Sequence, residues 1–335
     1  MNSIYVTDGY YSSGTLVIPD TPHTSGAYRK FKLKNSQDEE YYLTEKNYKH
    51  FLNSPSGLGM RKSIFGARVG NRFKVSERTY DFPSVSGELL FYDDRNETKY
   101  DEYEEFIRFI QYSPLRLFYY TPGNNKTEEE ANSIYMVCEI VQTTKSEISH
   151  SDSCLHIPVQ FKGLSFWLNN MESSMTITTE TSDNGTFTFP LTIPFTFGKD
   201  PLRDLVLPSN GTIPTPIKLT IEGSCKDPYI RFFELSSGSG IDTYKEYGAC
   251  KFNGDYTYVY VDSSDDKEEL SLVNGSSLIG NPAEKQDLTV GNPDDDDFFL
   301  TFLKIKPGKT YITVNLGNGF TGTVKFAWRD EYVSL

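Results

Sequence analysis

The stretch that most constrains this chain is a run of alternating residues at positions 186–198, which reads TFTFPLTIPFTFG. Its apolar residues stand at every second position, at Phe187, Phe189, Leu191, Ile193, Phe195 and Phe197. A period of two predicts one long extended strand with an apolar face and a polar face. Pro190 and Pro194 cannot donate to a sheet ladder, so this ribbon must lie at the edge of a sheet or outside one. Its apolar face must be covered either by another part of an assembly or by its own domain.

The composition narrows the class of protein. A length of 335 residues is typical of about two domains. The 23 Tyr and 23 Phe favour strands, and the net charge of −13 disfavours a general grip on nucleic acid or on an anionic membrane. No apolar run approaches the roughly 18 residues of a membrane span, so none is predicted. Four cysteines without paired spacing predict buried thiols and a reducing compartment, at Cys138, Cys154, Cys225 and Cys250.

Short runs of β-forming residues separated by Gly, Pro, Asn and Asp predict a mainly β chain with one helix at residues 101–112. Asp101 is a candidate N-cap, and Glu104 follows at the spacing of a capping box. An apolar stripe at helical spacing is formed by Tyr103, Phe106, Ile107 and Ile110. Arg108 stands four residues after Glu104, where the two can pair on the outer face.

The pattern of strands and polar stretches predicts three parts. Residues 1–170 form a β-sandwich or sheet domain on which the helix packs. Residues 171–210 are a polar linker that contains the ribbon. Residues 211–335 show no useful helical period and form an all-β domain, most simply a two-sheet sandwich.

No motif in the chain assigns a catalytic, cofactor-binding or metal-binding residue. The sequence has no nucleophile elbow, no phosphate-binding glycine loop and no His pair at metal spacing. The acidic run Asp294–Asp297 offers oxygen ligands for Ca²⁺ but lacks the spacing of an EF-hand, so a charged loop is the simpler interpretation. Carboxylates are plentiful, yet no motif singles out the pair that a glycosidase needs.

Three tyrosines form a candidate aromatic ridge. Tyr256, Tyr258 and Tyr260 alternate along one predicted strand and so share one face. Rings on such a face can stack against sugars, which makes a carbohydrate-binding module the alternative function. The same rings can instead pack against neighbouring strands or subunits.

Several segments in order resemble the distal tail proteins of phages that have long non-contractile tails and infect Gram-positive hosts. In the first domain these segments are 77–83 (ERTYDFP), 87–91 (GELLF), the helix, Ser113-Pro114-Leu115, and a strand that closes near Phe161 and Trp167. In the second domain they are 217–223 (IKLTIEG) and 227–230 (DPYI), followed by the last strands. The ribbon between them is similar to the alternating aromatic stretch of that family, although the family often has Tyr where this chain has Phe, Leu and Ile.

The resemblance implies a structural protein of the phage baseplate rather than an enzyme. It implies a first domain that forms a homo-oligomeric, hexameric ring and a second domain of galectin-like β-sandwich fold. The ring would join the tail tube protein to the tail-associated hub protein. The second domain would dock a receptor-binding protein or contact host polysaccharide. It also implies a location in the virion tail, after assembly in the cytoplasm of the bacterial host. A surface glycosidase is the third hypothesis.

Overall fold

The computed structural model describes residues 10–12, 15–17, 30–43, 50–69, 71–91, 96–120, 133–145, 147, 154–179, 205–238, 241–252, 254–264, 269–274, 277–279, 304–317 and 320–335. The chain separates into two compact units. The first unit comprises Met1–Met171 together with Tyr332–Leu335, and the second comprises Glu172–Glu331.

The first unit contains twelve strands and one helix within the described residues. They are β1 (Tyr10–Ser12), β2 (Thr15–Val17), β3 (Lys30–Lys34), β4 (Glu40–Tyr42), β5 (His50–Ser56), β6 (Lys62–Val69), β7 (Arg72–Tyr80), β8 (Ser84–Phe91), α1 (Asn96–Ile110), β9 (Leu115–Tyr120), β10 (Ile134–Thr143), β11 (Leu155–Gly163) and β12 (Trp167–Asn169). Strands β1 and β2 pair with each other, as do β6 and β7.

One antiparallel sheet forms the centre of the first unit, with the strand order β4-β3-β9-β10-β11-β8-β5. Its alternation is clearest in β11, where every second side chain is buried, at Leu155, Ile157, Val159 and Phe161. The two outermost strands approach each other, because the Leu52 amide donates to the carbonyl of Leu43, directly after β4, at 2.8 Å. The sheet is therefore curled around its core rather than stacked on a second large sheet.

The helix packs on this core but differs from its predicted bounds. It runs over Asn96–Ile110 instead of residues 101–112. Asp101 is exposed inside the helix, so the predicted N-cap and capping box are wrong. Tyr100 packs partly against the core and extends the apolar stripe by one turn toward the N-terminus, which explains the earlier start. The predicted pair is present, with Arg108 Nη2 at 3.4 Å from Glu104 Oε2.

The helix buries side chains at more positions than the predicted apolar stripe contains. Phe106 is fully buried, and its ring centre lies 5.2 Å from that of Tyr41. Phe109, which the predicted stripe omits, is also buried and contacts the same tyrosine. The helix thus closes the open end of the curled sheet with aromatic rings.

The second unit contains strands only within its described residues. They are β13 (Ser173–Thr179), β14 (Leu205–Ser209), β15 (Thr215–Lys226), β16 (Tyr229–Gly238), β17 (Ile241–Lys251), β18 (Asp255–Asp262), β19 (Glu269–Asn274), β20 (Ser277–Ile279), β21 (Lys304–Ile305), β22 (Gly308–Asn315) and β23 (Thr321–Trp328), with β24 (Glu331–Tyr332) at the junction of the two units.

These strands form two antiparallel sheets that share one core, as predicted for a two-sheet sandwich. The larger sheet has the order β13-β23-β15-β18-β19-β20, with β21 beside β15, and the smaller sheet has the order β14-β22-β16-β17. Ile221 and Phe326 reach the core from the larger sheet, and Phe232 and Ile312 reach it from the smaller one. The mainly β fold class is confirmed.

The predicted linker over residues 171–210 needs correction at both ends. Residues Ser173–Thr179 pair with β23, and Leu205–Ser209 pair with β22, so both segments are edge strands of the sandwich. The pattern did not predict β13 because an edge strand can be almost entirely polar, and among its side chains over residues 173–178 only Ile177 is buried. β14 was missed because it contains Pro208, which an edge strand tolerates.

The chain returns to the first unit after the sandwich. Tyr332 and Leu335 pack against the core of the first unit, and the Leu335 amide donates to the Leu58 carbonyl at 3.1 Å. The predicted second domain, 211–335, therefore includes four residues, 332–335, that belong to the first unit.

Candidate assembly and binding surfaces

The hairpin formed by β6 and β7 is largely exposed in the part of the first unit that the structure describes. Its two strands pair only with each other among the described strands. At about 3.3 Å per residue, β6 alone spans roughly 26 Å. Within the hairpin, Ile64, Phe65 and Phe73 are 56%, 53% and 61% exposed. Neither face of the hairpin is covered by the rest of the described chain.

A β-bulge decides which side chains share a face of the hairpin. The register shifts between Phe65 and Gly66, with Ile64 opposite Arg78 and Arg68 opposite Phe73. Opposed residues in an antiparallel pair lie on the same face. One face therefore carries the apolar side chains of Ile64, Phe73, Val75 and Tyr80 together with the cations of Lys62, Arg68 and Arg78.

The base of the hairpin is held by polar contacts around Asp81. The Ser63 hydroxyl donates to Asp81 Oδ1 at 2.8 Å, and Arg61 Nε lies 3.3 Å from Asp81 Oδ2. The Asp81 amide also donates to the Arg61 carbonyl at 3.1 Å. These contacts fix where the hairpin leaves the unit while its length stays uncovered.

The hairpin has a charge opposite to that of the whole chain. Residues 61–80 contain six Lys or Arg and one acidic residue, a formal charge of +5. Since the whole chain carries −13, the remaining residues carry −18. The sequence analysis did not identify this surface. The signal was the concentration of basic residues around a Gly-Asn turn in an acidic chain.

The second unit has an aromatic patch on the outer face of its smaller sheet. Tyr244 is 58% exposed and meets Tyr311 edge-on, with 5.0 Å between ring centres. The guanidinium of Arg231 lies 5.0 Å from the ring centre of Phe233. Arg231 Nε also donates to Glu246 Oε2 at 2.9 Å, so the cation is fixed within the patch.

The three tyrosines of the predicted ridge are placed differently from one another. Tyr256 is 3% exposed and belongs to the core of the sandwich, so it is not part of an exposed ridge. A β-bulge in β15, between Glu222 and Cys225, lies opposite this end of β18, and bulges increase local twist and re-aim side chains. Tyr258 and Tyr260 are half-buried, and the Tyr260 hydroxyl donates to Asp262 Oδ2 at 3.3 Å.

Two features singled out in the sequence lie outside the described residues. They are the ribbon at Phe187, Phe189, Leu191, Ile193, Phe195 and Phe197, and the acidic run Asp294–Asp297. Among the residues that are described, no group of three or more His, Cys, Asp or Glu side chains is placed to hold a metal ion. No helix in that part of the chain is long and apolar enough to cross a membrane.

The four cysteines are buried and form no disulfide, as predicted. Burial raises the pKa of Cys138 and of Cys250 to about 12. Thiols with such pKa values stay protonated near neutral pH, and a protonated thiol is a poor nucleophile. Both side chains act as small apolar core residues.

Comparison with known proteins agrees with this architecture. The family model of the distal tail protein, N-terminal domain, matches residues 30–164. The SPP1 Dit protein, described as a paradigm of the hub adsorption apparatus in phages that infect Gram-positive bacteria, is 10% identical, with 90% of this chain and 98% of that chain covered and a TM-score of 0.55. A chain of the phage P2 baseplate in its activated conformation with Ca is 14% identical, with coverage of 92% and 100% and a TM-score of 0.46. A search of curated proteins finds no match.

The curled sheet closed by a helix and the two-sheet sandwich share the fold of the SPP1 Dit protein. Over residues 30–164 the chain matches the distal tail protein N-terminal domain, which confirms the resemblance found in the sequence. The matched range runs from β3 through the end of β11 and contains the hairpin.

Proposed function

We propose that this chain is a structural component of a phage tail tip, in which the first unit forms a hexameric ring. The observation that carries the proposal is the match of residues 30–164 to the distal tail protein N-terminal domain. In this role the ring joins the tail tube protein to the tail-associated hub protein. The chain would assemble in the cytoplasm of the bacterial host and remain in the virion tail. No catalytic residue is needed for this role.

The ribbon at residues 186–198 has a place in this proposal. Among the described strands, β13 precedes it and β14 follows it, and both belong to the sandwich. Its alternating apolar side chains and its two prolines favour an edge that another part of the assembly covers. An edge covered by its own unit is the alternative.

The second unit would connect the ring to the host-adhesion apparatus. Its aromatic patch around Tyr244 and Tyr311 is an exposed surface of the kind that protein partners use, since aromatic residues and Arg are enriched at interfaces. We assign it to the docking of a receptor-binding protein. The alternative is host polysaccharide, for which the same rings offer stacking faces.

Mass photometry and negative-stain electron microscopy of the purified chain test the ring. Six copies of a 38.1 kDa chain give a particle of about 230 kDa, and ring-shaped particles of that mass are expected. A chain that stays a monomer at all concentrations and does not bind the tail tube protein would contradict the proposal. Titration of the same preparation with host cell-wall polysaccharide examines the alternative. Binding that Tyr244→Ala abolishes would favour it over protein docking.

A further inference from the structure

The aromatic patch of the second unit occupies the middle of the outer face of the smaller sheet. Phe233 lies beside Tyr311 of β22 on one side and beside Glu246 of β17 on the other. Two residues further along β16, Leu235 lies beside Tyr244, and these two side chains are 37% and 58% exposed. Aromatic rings and an aliphatic side chain therefore form one partly exposed surface across three neighbouring strands.

The carboxylate within this described patch, Glu246, is already committed to a cation. Arg231 donates to Glu246 Oε2 from both Nε and Nη2, and its guanidinium lies 5.0 Å from the ring centre of Phe233 and 5.7 Å from that of Tyr229. The second oxygen, Glu246 Oε1, is buried and has no hydrogen-bond partner in the described chain. A sugar is held by polar groups that reach its hydroxyls, and a buried oxygen does not reach them. The patch therefore favours an apolar protein surface over a glycan.

Two lysines flank the patch at opposite ends of the same face. Lys251 lies beside Tyr229 at one end, and Lys309 lies at the level of Leu235 at the other. Both lysines are exposed, and neither makes an ion pair or a side-chain hydrogen bond with the part of the chain that the structure describes. Because Tyr229 and Leu235 are six residues apart along β16, the two ends are separated by about 20 Å.

The charge of this face indicates the chemistry of its partner. Since Arg231 and Glu246 cancel, the two lysines give the described face a formal charge of +2, although the whole chain carries −13. A complementary partner brings one carboxylate to each lysine, and such pairs fix the register of an interface. In an extended segment, residues i, i+2, i+4 and i+6 point to the same side, and the first and last are about 20 Å apart. Acidic residues at i and i+6 with apolar residues between them match the lysines and the patch together.

We propose that the outer face of the smaller sheet docks an extended segment of the receptor-binding protein in which two acidic residues, six positions apart, flank an apolar centre. The carboxylates pair with Lys251 and Lys309, and the apolar side chains cover Phe233, Tyr244 and Tyr311. This inference rests on the docking role proposed for the second unit and names the chemistry of the partner.

Two fluorescein-labelled peptides test the charge requirement on the full-length chain. One has the sequence SDTFTLTDS, and the other carries lysine in place of both aspartates. Fluorescence polarisation at about 0.05 M salt, where exposed charges are weakly screened, should show at least about tenfold tighter binding of the acidic peptide. Lys251→Glu with Lys309→Glu should reverse this preference. The matched control, Lys226→Glu with Lys325→Glu, makes the same change in net charge at exposed positions of the larger sheet and should keep the preference.

Photo-cross-linking in complete tail tips examines the partner itself. With p-benzoylphenylalanine in place of Tyr244, the peptide that is cross-linked on illumination should come from the receptor-binding protein. Its sequence should carry Asp or Glu on both sides of an apolar centre. A cross-link to a segment without that pattern would overturn the proposal. Circular dichroism and thermal unfolding establish that each variant chain is folded.

The outcomes are distinguishable from a failure of the proposed function. A wild type that forms rings but binds neither peptide, or binds both equally, would overturn the docking chemistry and leave the hub role intact. A chain that prefers the acidic peptide but forms no ring would contradict the ring and support the docking chemistry. Purified wall polysaccharide that binds the wild type but not Tyr244→Ala, with no binding of either peptide, would overturn protein docking in favour of a glycan.

Discussion

At the scale of single residues, the side chain of His50 is a titratable group that lies beside the aromatic rings of Tyr41 and Phe91. It is buried, stacks on Tyr41 with 4.4 Å between ring centres, and has Nε2 at 2.6 Å from the Tyr42 carbonyl. Its Nδ1 lies 3.7 Å from Glu102 Oε2. Burial lowers the pKa of His50 below 6.5, although the Tyr42 carbonyl and the carboxylates of Glu102 and Glu105 act in the opposite direction. The ring is therefore held neutral, with the Nε2–H donating to Tyr42.

This arrangement predicts that the first unit loses stability in acid. The unfolded chain takes up a proton on His50 near pH 6.5, while the folded chain resists it, so the unfolded state binds more protons below that pH. The free energy of unfolding should thus fall progressively as the pH drops below about 6.5. In His50→Gln, urea unfolding at several pH values should show a flatter dependence. His156→Gln, at a half-buried position on β11, is the control. Equal slopes for all three proteins would contradict the prediction.

At the scale of secondary structure elements, the helix shows how packing overrides a local signal. A good capping residue at Asp101 suggested a start that the structure places five residues earlier, at Asn96. The helix continues because Tyr100 adds a further apolar contact to the stripe of Tyr103 and Phe106. Tertiary packing of an apolar face contributes more to helix stability than one cap does.

The position of Asp101 gives a prediction for the helix. Because Asp101 is exposed within the helix, Asp101→Ala should change the free energy of unfolding by less than about 0.5 kcal/mol. A residue that caps a helix would cost about 1 kcal/mol instead. Phe106→Ala, at a fully buried position, should cost about 3–5 kcal/mol and serves as the positive control in the same urea titrations. A loss near 1 kcal/mol for Asp101→Ala would contradict the observed helix start.

The elements that the sequence predicted well are those with one strongly buried face. β11 and β15 alternate clearly, and both lie inside their sheets, so their patterns reflect one covered side. β13 and β14 are edge strands, and their polar residues and proline give no such pattern. The faces of the hairpin also could not be read from alternation, because the bulge after Phe65 changes which residues of β7 lie beside those of β6.

At the scale of the whole molecule, the first unit is built from two separate segments of the chain and the second from one. The first unit consists of Met1–Met171 and of Tyr332–Leu335, while the second unit is continuous. Of the last four residues, two make apolar contacts with the first unit, since Tyr332 and Leu335 pack on its core. Their backbone is tied as well, by the bond from the Leu335 amide to Leu58.

Removal of residues 332–335 should therefore destabilise the first unit selectively. Loss of two partly buried apolar side chains is expected to lower its free energy of unfolding by about 1–3 kcal/mol. Hydrogen exchange should speed up at the Leu335 contact around Leu58 and along β5, while the sandwich core around Phe232 and Phe326 keeps its protection. Faster exchange in the sandwich alone would contradict the prediction, because it would show that the four residues stabilise the second unit instead of the first.

The return of the chain also has a consequence for the order of synthesis. A ribosome makes Tyr332–Leu335 only after it has made the entire sandwich, so the first unit receives its last packing residues when translation has passed both units. Until then, the positions on the core of the first unit that Tyr332 and Leu335 cover stay open.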